Sequence, residues 1–380
     1  MQILGSALAT NPYPGAISCI WNNHDSAYGG MKHMKRTWIA IVGAGVAGSV
    51  LARLLSARNS ETGQDITIYD ISRSYAKPCG EVVPARLVDT IVPSLGIPRP
   101  RVLNSIRRFV LSVGSETVRE YKPRSVIWYS IDKSEWVNSL RDGLNVVYKG
   151  VDPANLVNRY GVVVDARGPF SSRGRKIVVW RAYAENPGLE RDMAYIIMSG
   201  RNAGLVWIFP HGDKFNVGGG FIGLNNPRDR VIRTLYDVMG TNLKLYSEAY
   251  SLVTVYPRIQ YTSPRGIVRI GEAAGLIMSL GGEGIRPAVL SAAALANALE
   301  LSRDHVTFHV DRYISSIRGI VEEVKLHSLM LRLASIIGDV GLKRILRNVD
   351  EEFIGAWLQG RLTSVKYLVK SLYALVRSHS

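Results

Sequence analysis

Thr37-Trp38-Ile39-Ala40-Ile41-Val42 runs directly into Gly43-Ala44-Gly45-Val46-Ala47-Gly48, and the reading of this stretch decides the fold. The apolar run has the length of a strand and is closed by glycine. The glycines that follow have the spacing GxGxxG, and Val46 to Ala57 then reads as a helix. Gly43 permits a tight turn, Gly45 lets a pyrophosphate approach the backbone, and Gly48 lets helix and strand pack closely. Gly43, Gly45, Ala47 and Gly48 are therefore the candidate phosphate-turn residues. The helix start adds free N–H groups and about half a positive charge.

Ile66-Thr67-Ile68-Tyr69-Asp70 reads as a second strand. Its terminal Asp70 can accept hydrogen bonds from a ribose hydroxyl. A carboxylate there would face a 2′-phosphate with like charge, so the unit suits FAD or NAD rather than NADP. It does not choose between those two.

Outward from this unit, 380 residues allow two closely packed domains, or one cofactor domain with an insertion. With 47% hydrophobic and 21% charged residues the chain affords a sizeable core, which argues against disorder. No stretch of about 20 apolar residues is free of charge, so no spanning helix is expected. The first 33 residues show no clear period and no signal-peptide pattern, and read as an extension ahead of the fold. Cys19 and Cys79 do not suggest a disulfide framework, and a cytoplasmic location follows as the simplest expectation. A net charge of +16 calls for anionic surroundings, but no zinc spacing or RNA-recognition motif points to nucleic acid, and no metal site is expected.

Further along, Pro78 to Pro100 reads as loop, Ser134 to Leu140 as a short helix and Val162 to Val164 as a buried strand. Ile177 to about Tyr261 has β character, Val268 to Ile270 is a strand, and Pro287 to Leu301 is a long buried helix. From Val310 the chain reads as helical to its end, broken at Gly338, Gly341 and Gly360.

Five motifs carry a resemblance. Arg269-Ile270-Gly271-Glu272-Ala273-Ala274-Gly275 followed by Gly281-Gly282-Glu283-Gly284-Ile285 resembles the second FAD signature of the para-hydroxybenzoate hydroxylase-like flavoproteins. Val164-Asp165-Ala166-Arg167-Gly168 resembles their internal acidic motif, and Ile131-Asp132-Lys133 through Leu140 the block in which an arginine contacts the cofactor. Within that superfamily, Lys77-Pro78-Cys79-Gly80-Glu81-Val82 looks like the cysteine–glycine loop of the geranylgeranyl reductase family, in the archaeal digeranylgeranylglycerophospholipid reductase-like form. Trp207-Ile208-Phe209-Pro210, then Asn216-Val217-Gly218-Gly219-Gly220, looks like its substrate block. The chain departs from the pattern at Glu272 (usually aspartate), Lys133 (usually arginine) and Arg167.

The resemblance implies non-covalent FAD, with Cys79, Gly80, Val82, Lys133, Asp165, Gly168, Gly271, Glu272, Gly282, Gly284 and Ile285 at the cofactor. It places Trp207, Phe209 and Pro210 at the substrate and Cys79 as the candidate catalytic group. It implies an α/β chain, α+β overall: a Rossmann-type FAD-binding domain (34–105, 131–175, 263–305), an inserted β-rich substrate domain (106–130, 176–262) and a helical C-terminal region (306–380). The activity implied is FAD-dependent reduction of C=C bonds in polyprenyl chains of archaeal-type membrane lipids. An external electron donor (NAD(P)H, ferredoxin or another) is needed, because no second GxGxxG is visible. An FAD monooxygenase of a small or lipophilic substrate, and a non-catalytic flavin- or lipid-binding protein, stay open as alternatives.

Trp207 and Phe209 alternate with Val206 and Ile208, so one strand face should line something apolar. His211, after Pro210, reads as a solvated loop histidine. Arg361, Lys366, Lys370 and Arg377 beside Tyr367, Leu368, Leu372 and Leu375 suggest a basic amphipathic helix and peripheral contact with an anionic inner membrane face. On this reading a prenyl tunnel opens beside Lys366 or Lys370, which receive the lipid phosphate.

Overall fold

The computed structural model describes residues 38–59, 65–302 and 306–376. The extension at 1–33, Cys19 and Arg377 lie outside the described residues.

Ile39–Val42 is the central strand of a five-stranded parallel sheet. Its neighbours are Ile66–Asp70 on one side and Val162–Asp165 on the other, with Val146–Tyr148 and Val268–Arg269 at the edges. The side-chain period of two sorts the central strand. Ile39 and Ile41 join the main core with Val50, Leu51 and Leu55 of helix Val46–Asn59. Ala40 and Val42 pack on the opposite face with Leu156, Val163 and Ile267. The helix Ile285–Ala298 lies against Val46–Asn59 in the same core, so both candidate cofactor turns are held by one packed layer.

A seven-stranded sheet forms the second body. Its order is Leu245–Arg258, Arg173–Ala184, Lys214–Phe221, Gly204–His211, Met193–Ser199, Arg108–Val113, Glu116–Tyr121. Trp207 and Phe209 face the core shared with the C-terminal helices, whereas Val206 and Ile208 face Val231 and Leu235 of the helix Arg228–Met239. That helix interrupts the segment read as β. Its apolar pair at i, i+4 and Gly240 as a left-handed C-cap are ordinary helix signals.

Three other expectations are corrected. The buried helix ends at Ala298 rather than Leu301, because Leu299–Leu301 pairs as a strand with Val306–Phe308. The Pro78–Pro100 segment holds the strand Val82–Pro84 and helical turns whose Leu87, Val88 and Val92 are buried. Gly341 lies inside the helix Val310–Asn348; the break sits at Gly338 alone, where the backbone is left-handed. There a Cβ on Gly200 would strike the Gly338 backbone, and the Gly200 N–H donates to Asp339 Oδ1 at 2.6 Å. Gly360 follows the helix Glu351–Leu358, and the chain ends in helix Lys366–Val376. Among the described residues no helix is long and apolar enough to cross a membrane.

Candidate functional site

The glycine turn is built as its spacing requires. Gly43 is left-handed, and a Cβ there would lie 2.5 Å from the Ala166 carbonyl oxygen. A Cβ on Gly48 would run into the Gly43 carbonyl, so this glycine serves helix–strand packing. Gly45 differs: the nearest atom to a Cβ there is Tyr75 Cε2, at 3.7 Å, and the residue borders a large cavity. The Ala44 N–H donates to Asp70 Oδ2 at 2.6 Å and the Ser72 N–H to Asp70 Oδ1 at 3.0 Å, which fixes the strand-end carboxylate at the cavity wall. Arg141 donates to the Ala44 carbonyl and lies 3.4 Å from Asp70 Oδ2, while its buried Nη1 has no partner among the described residues. An open glycine beside an unsatisfied guanidinium nitrogen fits a dinucleotide pyrophosphate.

The cavity has a volume of about 1050 Å³, just above the usual range of about 300–1,000 Å³ for one small-molecule site. It runs from the glycine turn past Cys79–Val82 and Gly282–Ile285 to a chamber walled by Ile196, Met198, Leu205, Leu331, Ala334 and Leu342. Gly43, Gly45, Ala47, Asp70, Lys133, Gly168, Glu272, Trp207 and Phe209 also line it. Gly48, Asp165, Gly271 and Pro210 do not. Asp165 is held behind the wall by both Arg167 nitrogens, at 3.0 and 2.9 Å, and by Ser171 Oγ at 2.9 Å. Gly271 is left-handed and packs on Ala47 and Ala288. Pro210 pairs with Phe215 inside the sheet.

At the middle of the cavity the Cys79 loop is tied from beneath. Lys133, 2% exposed, donates to the Lys77 carbonyl at 2.6 Å and to Cys79 Sγ at 2.8 Å. Burial alone would lower its pKa, but Cys79, Tyr75 and Glu81 outweigh burial and hold it above the usual lysine range. Lys133 thus positions the loop with two of its donors. Glu272 reaches across: Oε1 accepts from the Thr254 N–H at 2.8 Å and Oε2 pairs with Lys77 at 3.0 Å. Glu272 thus ties the edge strand Leu245–Arg258 to the Lys77 loop at the cavity wall. Gly284 caps the helix Ile285–Ala298 at the cavity, presenting that helix's positive end there.

Sequence reading misplaced His211. It is 6% exposed on a strand, stacked on Tyr183, with Nδ1 3.1 Å from Ser130 Oγ and Nε2 3.6 Å from Glu81 Oε2. Burial lowers its pKa, against the pull of Glu81. The Glu81 carboxylate also accepts from Tyr183 Oη at 2.8 Å and Asn216 Nδ2 at 3.3 Å, and Asn216 Nδ2 donates to the Cys79 carbonyl at 2.8 Å. Trp207 Nε1 donates to Asn216 Oδ1 at 2.9 Å. Cys79–Gly80 and the Trp207 block are therefore one hydrogen-bonded unit, and a Cβ on Gly80 would lie 2.9 Å from the Phe209 ring.

A second polar set stands at the far wall. Arg286 binds Glu283 through Nε at 2.8 Å and Nη2 at 2.9 Å, and Glu323 Oε2 through Nη2 at 3.0 Å. His327, one helical turn beyond Glu323, lines the cavity. Glu283 lies within the glycine motif already read, but no local signal in the sequence marks Arg286, Glu323, His327 or Arg141.

No family profile and no curated protein sequence matches the chain. Solved structures do. A geranylgeranyl bacteriochlorophyll reductase-like protein from Thermoplasma acidophilum superposes with a TM-score of 0.65 at 18% identity, covering 88% of this chain and 95% of that one. A flavoprotein/dehydrogenase from Cytophaga hutchinsonii gives 0.64 at 11% identity, covering 89% and 96%. A flavin-dependent brominase gives 0.58 at 14% identity, covering 88% and 96%. The chain has the fold of the FAD-dependent flavoproteins. A reductase-like protein, a flavoprotein/dehydrogenase and a brominase share this fold, so the chemistry has to be argued from the cavity.

Proposed function

We propose that the chain binds FAD non-covalently and reduces isolated C=C bonds of polyprenyl chains, as in archaeal-type membrane lipids. The observation that carries this is the continuity of the cavity from the Gly45 turn into an apolar chamber. Bound, reduced FAD supplies the hydride. Gly45 and Arg141 receive the pyrophosphate, and the helix start at Gly284–Ile285 offers positive potential to the negatively charged reduced ring. Unpolarised alkenes offer nothing to grip except shape. Ile196, Met198, Leu205 and Leu342 exclude water and hold the chain, and Trp207 and Phe209 set it against the Cys79–Gly80 loop. Cys79 Sγ is engaged by Lys133 and by the Glu81 N–H at 3.2 Å, which suits a positioning role for the candidate catalytic thiol.

The test is flavin reoxidation. Protein reduced chemically under argon should be reoxidised on adding geranylgeranyl phospholipid, and not on adding its fully saturated analogue. Reoxidation only when air is admitted, with a hydroxylated product, would support the monooxygenase instead.

Peripheral membrane contact belongs to the same proposal, on altered grounds. Lys366 pairs with Glu352 at 2.8 Å, and Lys370 with Asp350 and Glu352 at 2.7 Å each. These lysines are neutralised within the protein, and neither lines the cavity, so the expected phosphate contact is not assigned to them. Tyr367, Ser371 and Ala374 pack inward, leaving Val365, Val369, Leu372 and Tyr373 exposed. Binding to vesicles should accordingly depend on apolar insertion. Leu372→Ser with Tyr373→Ser should reduce vesicle sedimentation several-fold; unchanged binding by the double variant would remove this helix from the contact.

A further inference from the structure

We propose that Glu323 and His327 form a proton-delivery pair, His327 facing the chamber and Glu323 behind it, the acid that complements hydride transfer. The inference rests on the reductase reading. Reduction of C=C adds a hydride to one carbon and a proton to its neighbour, so a proton donor has to reach the chamber. The Cys79 side does not offer one freely: Cys79, Glu81, Tyr183 and His211 are all held in hydrogen bonds or close ionic contacts.

His327 is 2% exposed, lines the cavity, and has no hydrogen-bond partner at either ring nitrogen among the described residues. A buried imidazole left so is costly, and such groups persist where function uses them. Glu323 Oε1 also lacks a hydrogen-bond partner among the described residues and lies 3.8 Å from His327 Nε2. The charged and polar groups around the pair come from several elements. Arg286 comes from the helix Ile285–Ala298 and Glu283 from the glycine turn before it. Ser279 meets Ser328 at 3.3 Å, and the Leu362 N–H reaches Glu323. Two carboxylates share one guanidinium, so the ionised set carries a surplus negative charge and readily holds one proton. Burial raises the Glu323 pKa, with Glu283 adding to it and Arg286 opposing, while burial and then Arg286 lower that of His327 to about 3. Of the two, Glu323 is the group pushed toward holding the proton and His327 the one kept neutral.

In the step, the alkene π pair forms a C–H bond with the proton leaving His327 Nδ1, as Nε2 takes the Glu323 carboxyl proton. The adjacent carbon receives the hydride. Glu323 is left as a carboxylate against Arg286 and His327 as its Nε2–H tautomer; after the product departs, water entering the chamber gives a proton to Nδ1 as Nε2 returns its proton to Glu323, which restores the starting pair.

The test uses the reduced holoprotein under argon with geranylgeranyl phospholipid, over pH 5.5 to 9. The wild-type rate should fall as pH rises through the Glu323 pKa. His327→Gln should be slower by about 10²–10⁴-fold with native flavin content, and Glu323→Gln should be slow and lose the pH-dependent limb. A readout apart from activity is acid stability. A histidine with a lowered folded pKa stabilises above its unfolded value of about 6.5 and loses that contribution as pH falls toward about 3. Wild type should therefore lose more urea resistance between pH 6.5 and 4 than His327→Gln does. A wild-type rate that is flat with pH, a His327→Gln rate within about twofold of wild type, or parallel acid destabilisation of the two proteins would each overturn the pair. No reoxidation by wild type would instead overturn the reductase reading itself.

Discussion

Gly45→Val is expected to fold normally and to lose FAD, weakening cofactor binding by about 100-fold or more, which is about 3 kcal/mol. Gly45 is not among the left-handed glycines, so valine meets no backbone strain there. The first atom its Cβ would touch is 3.7 Å away on the Tyr75 ring, an ordinary contact. Its methyl groups would instead fill the approach that a pyrophosphate needs. Gly48→Val makes the contrasting case, because its Cβ collides with the Gly43 carbonyl and should destabilise the fold itself. Denaturing wild-type protein should release a flavin of FAD mass, and folded Gly45→Val should release almost none. Native flavin content in folded Gly45→Val would place the phosphates elsewhere.

Leu205→Asp should leave FAD in place and abolish turnover of long prenyl substrates. Leu205 lines the chamber on the strand that carries Trp207 and Phe209, and it is only partly buried, so the fold tolerates a change there. An aspartate facing a bound alkyl chain would be an unpaired charge stripped of water, at a cost of several kcal/mol. Substrate-dependent reoxidation should fall by at least about 100-fold, while flavin content and absorbance stay native. Equal reoxidation rates in wild type and Leu205→Asp would show that the chain does not run through this chamber.

The parts of the fold that were legible in the sequence are those whose cause is local. The strand Ile39–Val42, the glycine turn and the helix after it follow from a few adjacent residues, as does the helix at Lys133–Arg141 capped by Asp132. The site's polar chemistry is tertiary. His211 looked like a loop residue after a proline, yet strand pairing buries it against Glu81 and Tyr183, which the chain supplies from distant segments. Arg141 is the residue directly after a segment already recognised, but nothing nearby announces that it closes on Ala44 and Asp70. His327 sits in the apolar pattern of a long helix, and only the burial of that helix against the chamber leaves its nitrogens unpaired. Lys366 and Lys370 looked free because their acids lie on the preceding helix start.

Mass analysis of the lipid product tests the central claim most directly. Reduced protein incubated under argon with geranylgeranyl phospholipid should yield lipid heavier by two hydrogens for each double bond lost, with FAD reoxidised in step. Lipid of unchanged mass under argon, alongside a product heavier by one oxygen when air is admitted, would contradict the account.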